Sequence, residues 1–542
     1  MEIQQQILIL LMFIFLVSLE QIIFDFDQSS LLRRTLKNLS SQNIDELTSV
    51  IKPKEGNNLW RKTIEADTIT NDEELRKKLV NVINLYFKLR EECMTNKEIK
   101  FKLSEKDSII SDIYSQLRSL VLKNSEFYLS NYNIQEIIRD AKIFYKNNGI
   151  NLINNQKVKK QILTLNGPFT FNRTVLRPKD QKDKDNLLSK FNKTLVIPLD
   201  DFLGLSKYKF KMTVETMIEI AYWSQNQFSY ERSEDAIKRV LNISINDDTI
   251  RLVSNHIGKI IFEHEMSLSN NFFNEYQKGN LNFTTTNKNH ILYLETDGAA
   301  LNTRIKSEDV TTWRENKFAI GFSTNNFSYH KSNGEKTYTI DKVDCISYIG
   351  KVEEFQKYFF WFACRNGYGQ FGKTILISDG ATWIRNMKNY LFPDVIQILD
   401  FYHLKAKLYD FGKNHFNLDK DKYTSWAERI SNQFYTGLID KSIKEIESMS
   451  SEKYNEINLN TYIKNNINNI NYAHYLKKGY IIGSGAVESH NKTILQRRLK
   501  QAGMRWNVPT AQYLLTLVAK VESKLWDSEV KKIVLDYYNN LN

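Results

Sequence analysis

Two short apolar segments of the chain each lead into Asp-Gly-Ala, and this repeated layout constrains the fold more than any other feature. Residues 291–294 precede Asp297, and residues 374–377 precede Asp379. Apolar runs of this length are typical of strands that are buried on both faces. We expect each strand to stop at its glycine, which lets a ligand approach the backbone closely. The layout therefore predicts two carboxylates held by one sheet at a binding site.

A third acid, Glu488, lies in the glycine-rich segment 483–489, which predicts the start of a helix. Taken singly, the aspartates are explained as well by Asp-Gly turns, and the glutamate by a favourable contact with the helix dipole. Together, the three offer the hard oxygen ligands that Mg²⁺ prefers. Two such ions about 3.5–4 Å apart stabilise both the attacking and the leaving oxygen of an in-line displacement. We therefore predict a site for two Mg²⁺ or Mn²⁺ ions, in which Asp297 bridges both and Asp379 and Glu488 each bind one.

The segment around the two aspartates alternates between strand and helix patterns. Further strands are predicted over 317–322, 336–349 and 395–399, and helices over 351–363 and 382–390. Three strands, a helix, a strand, a helix and a strand is the order of an RNase H-like sheet, which mixes parallel and antiparallel strands. Residues 404–478 lack strand signals and predict a helical insertion before the helix of Glu488.

The N-terminal half has mainly helical patterns. Apolar residues recur at helical spacing, alternation around Gly167-Pro168 predicts a β-hairpin, and 178–193 reads as a solvated loop. Helices are predicted over 73–89, 110–122, 214–223, 233–241 (with Ser233 as N-cap) and 246–257.

The last two helices have the outline of a helix-turn-helix, whose second helix enters the major groove of DNA. Arg251, Asn255 and Lys259 lie on or near the outer face of that second helix. An ordinary helical hairpin explains the same pattern equally well.

The charge balance suits an anionic partner. The 542 residues include 75 basic and 63 acidic side chains, for a formal charge of +12. Such an excess favours nucleic acid, although lysines also simply solvate helix faces. Three scattered cysteines, without metal-ligand spacing, argue against a disulfide framework and favour the cytoplasm.

Residues 7–17 form an apolar run near the N-terminus. The run is shorter than the roughly 20 residues of a membrane span, and it lacks the flanks of a secretory signal. A buried or dimer-forming helix is the favoured interpretation, so no stable membrane association is expected. A membrane-associated protein is the remote alternative.

Several side chains near the acids are candidates for contacts with DNA. His403 follows the last predicted strand and touches a phosphate, supports an acid or is structural. Trp313 and Trp383 either stack on an unpaired base or pack in the core. A basic run after Glu488 suits phosphate contacts, and a solvated helix face is the alternative. The run contains Lys492, Arg497, Arg498, Lys500 and Arg505.

Four blocks in combination resemble the ISLre-type insertion-sequence transposases of bacteria. They are Asp-Gly-Ala at 297–299, Ser-Asp-Gly-Ala-Thr-Trp-Ile at 378–384, Asp-Phe-Tyr-His-Leu at 400–404 and Gly-Ser-Gly-Ala-Val-Glu-Ser at 483–489. The resemblance extends from the hairpin near Gly167 to Trp506. It implies an RNase H-like catalytic domain with an Asp-Asp-Glu triad, here Asp297, Asp379 and Glu488. It also implies recognition of DNA ends by the N-terminal half.

The fold class expected from these observations is a multidomain α+β protein, with an RNase H-like mixed α/β core, a helical insertion and a largely helical N-terminal region. The expected parts are a helical region (1–155), a hairpin and loop (156–200), a helix-turn-helix region (201–285), the first part of the core (286–403), the insertion (404–478) and the last part of the core (479–542).

The expected function is a DNA transposase that cuts and joins strands at element ends. Its partners would be double-stranded DNA, as terminal inverted repeats and target, and further copies of the chain, because two ends must be held together. An RNase H-like nuclease and an inactive DNA-binding relic of a transposase are the alternatives.

Overall fold

The structure is a computed structural model that describes residues 134–205, 209–304, 312–332, 335–449 and 459–541. The apolar run 7–17 and the helices predicted over 73–89 and 110–122 lie outside these residues. Within the described ranges, every helix falls short of the length or the apolar character that crossing a bilayer requires.

The part of the chain before the central sheet is mainly helical and contains one hairpin. Its elements are α1 (Ile134–Asn147), β1 (Leu152–Thr164), β2 (Gly167–Pro178), α2 (Gln181–Phe191), α3 (Pro198–Phe202), α4 (Val214–Gln225), α5 (Tyr230–Leu241) and α6 (Asp247–Gln277). Strands β1 and β2 pair antiparallel, which confirms the predicted hairpin. The loop predicted over 178–193 is wrong, because Asp180 caps α2 by accepting the N–H of Asp183, and Leu187 is buried.

Helix α5, a short turn and α6 reproduce the predicted helix–turn–helix order with different bounds. Helix α5 begins after Ser229, whose side chain caps it, and the predicted N-cap Ser233 is buried inside the helix. Helix α6 extends for 31 residues, well past the predicted end. Its apolar stripe of Ile250, Val253 and Ile257 is fully buried, and tertiary packing of such a stripe is what sustains a long helix.

Five strands of the next segment form one mixed sheet. The elements of this segment are β3 (Asn287–Asn302), β4 (Trp313–Ser323), β5 (Phe327–Ser332), β6 (Glu335–Ile340), β7 (Asp344–Ile349), α7 (Val352–Arg365), β8 (Phe371–Ser378), α8 (Thr382–Leu391) and β9 (Ile396–Leu399). The sheet order is β7–β4–β3–β8–β9, in which β3, β8 and β9 run parallel and β4 is antiparallel to β3 and β7. Strands β5 and β6 form a separate hairpin, so the single strand predicted over 336–349 is two strands.

Strand β3 does not stop at its glycine, contrary to the prediction. It continues to Asn302 because β4 pairs with it throughout, and Gly298 lies opposite Lys317. The hydrogen bonds of this ladder outweigh the low strand propensity of glycine. Asp297 therefore lies within a strand, whereas Asp379 follows the end of β8.

Among the described residues after β9, the regular elements are all helices, as predicted for 404–478. Its helices are α9 (Phe401–His415), α10 (Lys420–Thr436), α11 (Ile439–Met449), α12 (Leu459–Asn465), α13 (Tyr472–Lys477), α14 (Gly485–Asn491), α15 (Arg497–Leu499), α16 (Val508–Glu522) and α17 (Lys531–Asn539), with π-helical turns over Lys492–Gln496 and Trp526–Val530.

Helices cover both faces of the sheet. On one face, Tyr293 belongs to an apolar cluster with α9, α10 and the helices from α14 to α16. On the other face, Leu292 and Leu294 pack with α7 and α8. Because side chains alternate along a strand, Glu295 and Asp297 share the face of Tyr293.

Helices α4, α5 and α6 share a core with α16 and α17. His256 of α6 takes part in this packing through a 2.8 Å hydrogen bond with the Tyr538 hydroxyl of α17. Burial, and then the charges of Lys209 and Lys259, lower the pKa of His256 to about 4.

This lowered pKa predicts a loss of stability in acid. The unfolded chain binds a proton at His256 more readily than the folded chain does, so protonation favours unfolding. We expect stability to fall as the pH drops from about 6.5, the ordinary histidine pKa, towards 4. His256→Gln should lose less stability over the same range. Thermal melting of both proteins across this range tests the effect, and equal pH slopes would contradict it.

Candidate active site

Three aspartates lie at corresponding positions of the three parallel strands. The residues just before Asp297 and Asp379 are paired in the strand register, and so are those just before Asp379 and Asp400. Neighbouring strands are about 4.8 Å apart, so the three residues share one edge of the sheet. Asp400 is not among the ligands predicted from the sequence, although its position directly after an apolar strand is the signal that identifies Asp379.

Asp400 is fully buried and caps helix α9. It accepts the N–H of Tyr402 at 2.7 Å, His403 Nδ1 at 3.0 Å and the hydroxyl of Ser484. Burial acts to raise the pKa of Asp400, but these hydrogen bonds hold it below its usual value. The same contact raises the pKa of His403, which favours an ion pair between the two residues.

Glu488 lies close to Asp400 and His403. Among the described residues, the one set of three metal-ligand side chains whose ligand atoms all lie within 4.8 Å of one another is Asp400, His403 and Glu488. The predicted trio of Asp297, Asp379 and Glu488 is not such a set. It stays a prediction, supported by the charge interactions of its members.

Asp297 interacts with both of the other predicted acids. Burial and then the charge of Asp379 raise the pKa of Asp297, and the charge of Glu488 adds to this effect. The N–H of Gly298 donates to Asp297 Oδ1 at 2.7 Å, and Asn491 Nδ2 lies 3.5 Å from Oδ2. The side chains of Asp379, Glu488 and Asn491 therefore all interact with Asp297.

A fifth acid, Glu295, lies beneath this group. Its side chain is fully buried, and Oε2 accepts the N–H of Val487 at 2.8 Å. Burial, followed by the charges of Asp400 and Glu488, raises the pKa of Glu295 to about 8. Strand alternation places Glu295 on the same face as Asp297, but it does not indicate that the start of a helix contacts Glu295.

The donor set fits divalent cations. In the described ranges, Asp297, Asp379 and Glu488 form no ion pair with lysine or arginine. Two buried oxygens near them, Glu295 Oε1 and Asn491 Oδ1, have no hydrogen-bond partner among the described residues. Clustered carboxylates repel one another, and a bound cation relieves this repulsion.

The three predicted DNA-contacting residues of α6 lie away from these acids in sequence and differ in exposure. Arg251 and Lys259 are partly exposed, and each is ion-paired within the helix, to Asp248 and Glu263. Asn255 is half-buried, and its Oδ1 is enclosed. Arg251 and Lys259 are therefore better placed than Asn255 to meet a phosphate.

The basic run after Glu488 is only partly available to a partner. Lys492 and Arg497 are exposed. Arg498 is 3% exposed, with its guanidinium over the Tyr230 ring, so a direct phosphate contact by Arg498 does not fit this structure. Its burial follows from its contacts with a distant segment, because the guanidinium also donates to the Phe228 carbonyl at 3.1 Å.

The two tryptophans also differ. Trp313 is 54% exposed at the start of β4. Trp383 packs edge-to-face against Phe355, with Lys317 over its ring. This packing favours the core interpretation for Trp383.

No protein-family model matches this chain, and no curated protein matches its sequence. Its function is therefore inferred from the chemistry of the site and from the motifs of the sequence.

Proposed function

We propose that the protein catalyses metal-dependent phosphoryl transfer on DNA as a transposase. The observation that carries the proposal is the row of Asp297, Asp379 and Asp400 on three neighbouring parallel strands, with Glu488 facing it from helix α14. Acids from separate strands and a helix converge on one sheet edge. Their mutual repulsion destabilises this edge unless a cation binds there.

The arrangement of the sheet supports an RNase H-like core. When the five strands of the sheet are numbered 1 to 5 in chain order, their spatial order is 3-2-1-4-5. The second strand is antiparallel to its neighbours. This agrees with the strand and helix order derived from the sequence, and with the fold that the resemblance to ISLre-type transposases implies.

Asp297, Asp379 and Glu488 are the proposed holders of two Mg²⁺ or Mn²⁺ ions, and Asp400 is a further ligand candidate. When bound, such ions supply Lewis acidity that stabilises the attacking and leaving oxygens of an in-line displacement. Asp297, on the central strand, is adjacent to Asp379 and within the electrostatic reach of Glu488.

Two cationic side chains can hold the DNA backbone at these acids. His403 Nδ1 is hydrogen-bonded to Asp400, which raises the pKa of His403 and favours the charged ring, in which Nε2 can donate to a phosphate oxygen. Lys500 is exposed and interacts electrostatically with Asp297. Charge-assisted hydrogen bonds of this kind position DNA without reading its sequence.

A strand-transfer assay tests the function. Wild-type protein, Mg²⁺ and pre-cut DNA ends from inverted repeats flanking the coding region should yield joined products. Cleavage without joining would favour the nuclease, and binding without either reaction would favour an inactive relic. The assay also reports whether two ends must be paired, as expected for a homo-oligomer.

Recognition of the ends is proposed for α5 and α6. Arg251→Ala should weaken binding to end DNA, because a phosphate or base contact by arginine contributes about 1–3 kcal/mol. Fluorescence anisotropy at moderate salt measures the affinity, and Arg139→Ala on the exposed face of α1 is the control. Unchanged affinity for the Arg251 variant would remove α6 as the reading helix.

A further inference from the structure

Three successive residues on one face of strand β3 each bond to the segment that carries Glu488. The hydroxyl of Tyr293 accepts the N–H of Ile481 at 3.3 Å, and Glu295 Oε2 accepts the N–H of Val487 at 2.8 Å. The third contact joins Asp297 to Asn491, at 3.5 Å. The contacts follow the same order along both segments, so residues 481–491 lie along the strand.

The middle contact replaces an ordinary helix cap. The first N–H groups of a helix lack acceptors within it, and an N-cap side chain usually supplies one. The N-cap of α14 is Ser484, which makes no such bond, because its hydroxyl bonds to Asp400 instead. Glu295 supplies the missing acceptor from the neighbouring strand.

A carboxyl group at this buried position is energetically unfavourable. Burying an ionisable group costs several kcal/mol, and an apolar side chain of similar volume is often the more stable alternative. Glu295 is fully buried, and among the described residues no lysine or arginine pairs with it. Packing alone therefore does not account for an acid here.

We propose that Glu295 is a positioning residue that fixes the start of helix α14 against strand β3 and thereby sets Glu488 relative to Asp297. This inference rests on the proposed function. Val487 immediately precedes Glu488, and Glu295 stands two residues before Asp297 on the same face, so one hydrogen bond links the two halves of the site. Glu295 itself need not touch substrate or ions.

The test compares Glu295→Gln with Glu295→Met in the full chain. Glutamine keeps an acceptor for the N–H of Val487, and methionine has a similar volume without one. Leu294→Met, on the opposite face of β3, controls for general disturbance of the strand. Hydrogen exchange of the 484–491 peptide measures the stability of the helix start directly. The Mg²⁺ concentration for half-maximal DNA cleavage measures how well the site binds metal.

We expect Glu295→Met to speed exchange in this peptide and to raise the Mg²⁺ requirement or lower the rate by about 10–100-fold, the usual effect of losing a residue that orients ligands. Glu295→Gln and Leu294→Met should stay near wild type. DNA affinity should not change in any of them.

Three results overturn the inference: a fully active methionine variant, a glutamine variant as impaired as the methionine variant, or rapid exchange of this peptide in the wild-type protein. If Glu295→Met does not fold, the glutamine variant and wild-type exchange still decide. A wild-type protein that neither cleaves DNA nor binds Mn²⁺ would instead refute the proposed function.

Discussion

Replacing Asp297 with asparagine is expected to abolish Mg²⁺-dependent DNA cleavage while DNA binding persists. A metal ligand contributes several kcal/mol of transition-state stabilisation, or roughly a thousandfold in rate. The same loss is expected for Asp379→Asn and Glu488→Gln. Single-turnover cleavage of end DNA measures the rate, and anisotropy measures the binding.

Stability separates this effect from misfolding. Burial and the neighbouring charge of Asp379 raise the pKa of Asp297, so its ionised form destabilises the metal-free protein at neutral pH. Asp297→Asn should therefore melt at the wild-type temperature or above it, and lose the stabilisation that added Mg²⁺ gives the wild type. Asp410→Asn, an exposed acid on helix α9, is the matched control. Retained cleavage in any one variant would remove that residue from the triad.

The largest loss of stability is expected for Lys520→Met. Lys520 is 2% exposed, and its ammonium group lies 2.6 Å from Glu265 and 2.7 Å from Glu529. Glu265 is equally buried and also accepts the hydroxyl of Tyr358. Removing Lys520 leaves Glu265 with only the more distant cation, Arg365 at 3.5 Å, and breaking such a buried pair costs about 3–5 kcal/mol.

Urea unfolding of four proteins tests this loss: wild type, Lys520→Met, Glu265→Gln and the double variant. Because the double variant leaves no unpaired charge within the pair, it should be destabilised by less than the sum of the single variants. Lys531→Met, which breaks a solvent-exposed pair with Asp527, should cost less than about 1 kcal/mol. A comparable small loss for Lys520→Met would show that the network is not a stabilising element.

Local patterns were sufficient to predict the hairpin, the strands that precede Asp379 and Asp400, and helices α7 and α8. Each has a continuous apolar run or a helical period, and both signals depend on neighbours along the chain. Two of the errors came where a partner distant in sequence decides the outcome. Gly298 stays in a strand because β4 pairs with it, and Arg498 is buried because the Tyr230 ring covers it.

The sequence by itself placed Asp379 at a strand end and Glu488 at a helix start, because strand and helix periods depend on neighbouring residues. Only the tertiary structure decided that Asp400 joins His403 and Glu488, and that Glu295 caps a helix of another segment. Glu488 is far along the chain from Asp400, as Val487 is from Glu295, and the distances between them depend on strand register and on helix packing, which no local pattern specifies.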